Sequence, residues 1–98
     1  MKSIMQSTRE CYICGATRWL EYHHCYAGKN RQVSDKNGFT CWLCEAHHRG
    51  TYGVHGKEGA YLDNKIKREC QEIFELTHTR EEFRKLIGKS YLEDEKEE

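Results

Sequence analysis

Two cysteine pairs and two histidine pairs hold most of the chemistry available to this sequence. Cys11-x-x-Cys14 and Cys41-x-x-Cys44 each set thiols three residues apart, the interval at which a tight turn aims two sulfurs at one metal ion. Cys44-x-x-His47 repeats it, so five residues compete for the four corners of one tetrahedral zinc site. A free cysteine is often just a small buried hydrophobe, but that role needs no fixed interval. Cys25 and Cys70 have no partner at ligand spacing and read as core residues.

The histidines come as His23-His24 and His47-His48, each doublet beside a cysteine. Neighbours on a strand face opposite ways, so one doublet at a strand end can serve two roles around one site. Neighbours on a helix lie about 100° apart, so His47 can face the zinc while His48 faces a second site. An imidazole serves either as a metal ligand or as a general base near neutral pH. His78, in an inter-helix turn, reads as an ordinary surface residue.

The elements that must position these groups follow from the pattern. "CYICG" is a knuckle whose glycine permits the tight turn. "TRWLEYHHCY" and "FTCWLC" read as strands of an antiparallel hairpin, with Trp19 and Trp42 as core aromatics or base-stacking platforms. Between them "AGKNRQVSDKNG" reads as a polar loop with a turn at Asn37-Gly38. "EAHHRG" opens a short helix, and "TYGVHGKEG" is a glycine-rich loop. Leu62, Ile66, Cys70, Ile73 and Phe74 form one apolar helical stripe. Thr79 and Glu82 make a capping box for a second helix, with Phe83, Leu86 and Ile87 buried and Gly88 as its stop. The expected fold is a small α+β domain, 1–98, with a zinc-stapled hairpin-plus-helix core at 11–55 packed against two C-terminal helices at 60–88. The acidic end, 93–98, reads as a solvated tail.

Composition sets the bounds. With 98 residues, 37% of them hydrophobic, and a mean hydropathy of −0.97, the chain has a thin core and calls for a staple. The first ten residues carry no secretory signal, and no segment reaches the roughly 18 apolar residues of a membrane span. The expected setting is cytoplasmic, where paired cysteines bind zinc before they form disulfides. Residues 1–59 carry eight basic against five acidic side chains, while 60–98 carry eight against eleven. The positive excess thus accompanies the cysteines and histidines. Lys29, Arg31 and Lys36, with Arg49, suit a nucleic acid backbone, probed by charge and without sequence readout.

In order and spacing, Cys-x-x-Cys, the His-His pair after a strand and "LCEAHH" opening a helix resemble the zinc-stapled branch of the HNH, or ββα-metal, endonucleases. The resemblance spans about residues 11–55. Small members are frequent in bacteriophage genomes, which would place the protein in a bacterial host cytosol. The resemblance implies a ββα-metal fold and metal-dependent hydrolysis of phosphodiester bonds, with DNA as the expected substrate. It assigns Cys11, Cys14, Cys44 and His47 to structural zinc, leaving Cys41 as a neighbour or alternate ligand. It assigns His23, His48 and His55 to a catalytic divalent metal (Mg²⁺, Mn²⁺, Ni²⁺ or Zn²⁺) and His24 to the general base. The family's base-orienting Asn is absent: Phe39 stands near its place, and Asn37 is the nearest substitute. The competing expectation is a zinc-stapled module that cuts nothing and binds nucleic acid or inhibits a host protein.

Overall fold

The computed structural model describes residues 2–92, so the acidic tail expected at 93–98 lies outside the described residues. The architecture is α+β: a two-stranded antiparallel sheet and four α-helices. Strand β1 (Leu20–His24) pairs with β2 (Thr40–Cys44), setting Glu21 against Leu43, Tyr22 against Trp42 and His23 against Cys41. Strand alternation therefore divides the doublet: Glu21 and His23 share one face, Tyr22 and His24 the other. Both strands are shorter than the patterned segments suggest. Trp19, expected within β1, precedes it with a left-handed backbone (φ 57°) and an exposed ring.

The outer edge of β2 is covered by the N-terminal segment. Ser3 Oγ donates to the Thr40 carbonyl (2.5 Å), the Trp42 N–H donates to Gln6 Oε1 (2.6 Å), and the Tyr12 N–H donates to the Trp42 carbonyl (2.8 Å). These bonds satisfy backbone groups that a two-stranded sheet would otherwise leave open.

The segment expected to be a polar loop between the strands is helical. A 3-10 turn (Gly28–Asn30) leads into α1 (Arg31–Asn37), which ends at Gly38 in the left-handed conformation (φ 73°). Its sequence hides the helix because its buried residue is Ser34, whose hydroxyl donates to the Tyr26 carbonyl (2.7 Å) and accepts the Tyr26 N–H (3.2 Å). The side-chain amide of Asn30 ties this turn to the Ile87 carbonyl (3.0 Å). The Asn37-Gly38 turn signal thus marks a helix C-terminus.

One turn of helix, α2 (Glu45–His48), follows β2. The next residues repeat a glycine at every third position: Gly50, Gly53, Gly56 and Gly59. The N–H of each of the last three donates to the carbonyl of the glycine before it (2.9, 2.8 and 3.1 Å). A Cβ on Gly56 would stand 1.8 Å from the Gly50 carbonyl oxygen, and one on Gly59 equally close to that of Gly53. Backbone packs on backbone here, and only hydrogen fits between.

Helix α3 (Ala60–Phe74) buries Ile66, Cys70, Gln71 and Phe74, and α4 (Arg80–Ile87) buries Phe83 and Ile87. Thr79 and Glu82 form the expected capping box. Gln71, a polar residue on the buried face, is satisfied by Glu75, Ser90 and the Tyr91 N–H. Arg80 grips both oxygens of Glu75 across the inter-helix turn, holding that carboxyl below its usual range. His78 stacks flat on Phe74, 4.1 Å between ring centroids. Phe39 meets Tyr26, Phe74 and Phe83 edge-on or tilted, at centroid distances of 5.4–5.9 Å, and is fully buried. It joins the sheet to both C-terminal helices. Phe39→Ala should remove about 3–5 kcal/mol of stability, the usual loss for a buried aromatic. A urea unfolding curve with an unchanged midpoint would refute that role.

Candidate metal centres

The first centre brings together Cys11 and Cys14 of the knuckle, Cys44 at the end of β2 and His47 on α2. Their ligand atoms all lie within 4.8 Å of one another, and this cluster could hold a structural metal such as zinc. Cys14 Sγ and Cys44 Sγ are 3.8 Å apart, Cys44 Sγ and His47 Nδ1 3.2 Å, Cys11 Sγ and His47 Nδ1 3.7 Å. Zinc with bonds of about 2.3 Å to sulfur and 2.0–2.1 Å to nitrogen has tetrahedral edges of about 3.5–3.8 Å. The separations of 3.8 and 3.7 Å match that frame, and the one of 3.2 Å is a little shorter.

The electrostatics of the knuckle favour a thiolate. Burial pushes the Cys11 thiol up, but the backbone N–H groups of Cys44, Cys14 and Ile13 outweigh it and hold the thiol at about 6. For Cys14, the Ala16 N–H works downward, yet desolvation and the neighbouring thiols of Cys11 and Cys44 carry the net shift upward. A ready thiolate at Cys11 beside the thiol of Cys14 makes a site that releases protons as it loads metal.

Cys41 belongs elsewhere. It is fully buried on the strand face opposite Cys44, beside His23 in the register, and is not in the cluster. The alternation of a strand explains this: three residues from Cys44 is an odd step and reverses the side chain. Cys25 and Cys70 are also buried in the core.

The second centre is made of imidazoles only. His23 on β1, His48 on α2 and His55 in the glycine-rich loop also offer ligand atoms within 4.8 Å of one another. Ring centroids stand 4.7–5.4 Å apart. The loop delivers His55 through backbone bonds to α2, Val54 N–H to the His47 carbonyl (2.9 Å) and His55 N–H to the His48 carbonyl (2.8 Å). His23 is 3% exposed, and its Nε2 is buried with no hydrogen-bond partner among the described residues. Burial first, and then the neighbouring imidazoles, push the His23 ring down to about 3. His55 is pushed down for the same two reasons. Both therefore stay neutral at physiological pH, the form in which imidazole binds a metal.

Glu21, which no motif in the sequence singles out, completes this centre. Its Oε1 accepts from His48 Nδ1 (2.5 Å) and from Arg49 Nε (2.8 Å), and those two donors hold its carboxyl below the usual range. With Nδ1 so engaged, Nε2 is the His48 nitrogen left to act as ligand, the arrangement that carboxylates impose on metal-binding histidines. A signal existed: Glu21 precedes His23 by two residues and so shares its strand face.

His24 lies on the other face, where Nε2 meets Asp35 Oδ1 at 3.4 Å. An open groove of about 630 Å³ runs beside this pair, lined by His24, Arg31, Gln32, Asp35 and Lys36. Of the expected phosphate contacts, Arg31 and Lys36 line it and Lys29 does not. Arg49 is instead drawn onto Glu21. Asn37, the expected partner of His24, directs its amide to the Val33 carbonyl (2.8 Å) within α1. Because the segment is a helix and not a loop, Asp35 is the α1 side chain that reaches the histidine.

The chain matches no family model, no curated protein and no solved structure. Among the described residues, no helix is long and apolar enough to cross a membrane. The two-centre geometry makes one direct demand on metal content. Zinc-loaded protein carrying Cys44→Ser should lose its tightly held zinc, while Cys41→Ser should keep it. Elemental analysis after gel filtration reads this out, and equal zinc in both variants would put Cys44 outside the site.

Proposed function

We propose that this protein is a metal-dependent endonuclease of the HNH, or ββα-metal, type, hydrolysing phosphodiester bonds in DNA. The observation that carries the reading is the orphaned Nε2 of His23. A buried imidazole nitrogen without a partner is costly, and here it sits with two other imidazoles whose ligand atoms converge. A divalent cation would satisfy it. Three histidine nitrogens form a donor set suited to Zn²⁺, Ni²⁺ or Mn²⁺ as well as Mg²⁺, and the carboxylate behind His48 supplies the support such ligands usually have. The order β1, β2, α2 around this set supports the family likeness.

The division of labour follows from the strand. A phosphodiester lying across the end of β1 would have His23 on one side and His24 on the other. Bound there, the cation would offset negative charge developing on the phosphate and the departing 3′-oxygen. His24 would take a proton from water through Nδ1, since Nε2 is turned to Asp35. The water oxygen then bonds to phosphorus as the P–O3′ bond breaks and the departing 3′-oxygen takes a proton from solvent, leaving a 5′-phosphate and a 3′-hydroxyl. Asp35 holds the ring for that task, the place that Asn37 was expected to fill, while Arg31 and Lys36 hold the neighbouring phosphates.

Supercoiled plasmid tests this directly. Wild-type protein should nick it with Mg²⁺, Mn²⁺ or Ni²⁺ and not in excess EDTA, with His24→Ala slower by about 10²–10⁴-fold, the range of a lost general base. Glu21→Gln should reduce the rate by about 10–100-fold through weakened metal binding, rescued in part by more metal. Failure of wild type to nick with any of these metals would refute the endonuclease and leave a zinc-stapled binding module.

A further inference from the structure

The face of β1 that carries His24 has a second feature, and the nuclease chemistry does not use it. Tyr22 lies two residues earlier on the same face, its ring 5.5 Å from that of His24 and 4.9 Å from that of Trp42. Its hydroxyl donates to Thr40 Oγ1 (2.9 Å), which fixes the ring while leaving it 39% exposed. The guanidinium of Arg9 lies over Trp42, 4.4 Å from the ring centroid. The N-terminal segment that covers the β2 edge thus also builds a wall. Between wall and strand runs a cleft of about 440 Å³ lined by Lys2, Gln6, Thr8, Arg9, Tyr22 and Trp42, with Ser3 and Ser7. Among the described residues, no carboxylate lines it.

We infer that this cleft is the path of a single strand of nucleic acid, with Tyr22 stacking on a base and Lys2 and Arg9 holding its phosphates. The inference rests on the nuclease reading for its continuity with His24, and it narrows the substrate class to unpaired strands. The lining is chemically complementary to such a strand. An anchored aromatic ring and a planar guanidinium offer flat surfaces to bases, and two cations with no carboxylate in the lining among the described residues attract the backbone. The bases of an intact duplex are stacked on one another, so they have no face to offer Tyr22. His24, whose ring is 5.5 Å from that of Tyr22, lines the groove with Arg31 and Lys36, so a strand stacked on Tyr22 is brought next to the proposed base. Trp19, though more exposed, lies outside this cleft.

The test compares zinc-loaded full-length protein against three fluorescent probes in EDTA-free buffer without added Mg²⁺ or Mn²⁺. They are an oligothymidine of about 12 nucleotides, an abasic oligonucleotide of equal length and charge, and a duplex of equal length. Because stacking on an aromatic is worth up to about tenfold or more in affinity per base, wild type should bind oligothymidine about tenfold tighter than the abasic strand, and tighter than the duplex. Tyr22→Ala should erase the preference over the abasic strand, whereas Tyr22→Phe should retain it. Arg9→Ala, in the exposed N-terminal segment, should weaken both single strands. Equal binding of thymidine and abasic strands by wild type, or a preference that survives Tyr22→Ala, would overturn the inference. The outcomes separate from those of the plasmid assay: nicking without the Tyr22-dependent preference removes this strand path alone, and the preference without nicking removes the nuclease alone.

Discussion

The convergence of Cys11, Cys14, Cys44 and His47 is the constraint on which the rest of this small protein depends. The knuckle, the end of β2 and the first turn of α2 are distant or unstable by themselves. A helix of four residues has no independent stability, because its nucleation is never repaid by propagation. Its presence is understandable only if both ends are held: His47 by the sulfur cluster, and the following loop by backbone bonds. Orientation then passes to the next residue without further machinery. Once His47 faces the sulfurs, His48 must face Glu21 and the other imidazoles. A metal in the first centre would therefore reduce the conformational freedom of the three histidines beside it.

A two-stranded sheet of five-residue strands does the remaining sorting. On one face of β1 lie Glu21 and His23, buried or half-buried against His48 and His55. On the other lie Tyr22 and His24, open to the groove and to the N-terminal segment. Desolvation separates their behaviour: His23 is held neutral by its surroundings, whereas His24 remains in contact with solvent and a carboxylate. The same residue type is thus given two environments by a single peptide step. That division requires a fixed register, and the bonds from Ser3, Gln6 and Tyr12 to the β2 edge, together with Phe39 in the core, resist slippage.

Legibility followed the range of the interactions involved. The cysteine interval, the capping box of Thr79 and Glu82, the stripe from Leu62 to Phe74 and the short helix after Cys44 are local patterns, and each is present in the structure. Helix α1 was not legible because its core contact is a serine hydroxyl bonded to Tyr26, so no apolar periodicity announces it. The same hidden helix conceals Asp35: in a loop no face is defined, whereas on a helix Asp35 is directed to β1. Glu21 was obscured differently. Its meaning depends on His48, twenty-seven residues later, and only the register brings the two together. Cys41 shows the opposite failure, a real ligand interval in the sequence overruled by strand alternation.

The glycines at 50, 53, 56 and 59 give the loop that carries His55 a fixed pitch. Each turn hands its carbonyl to the next, and Gly56 and Gly59 press on the backbone two repeats earlier. Such a segment works as a ratchet with three-residue teeth. Adding or deleting one or two residues would bring a side chain to a contact that admits only hydrogen, while a change of three would leave the teeth engaged. Relatives of this chain should therefore vary the length of this segment, where they vary it at all, in steps of three.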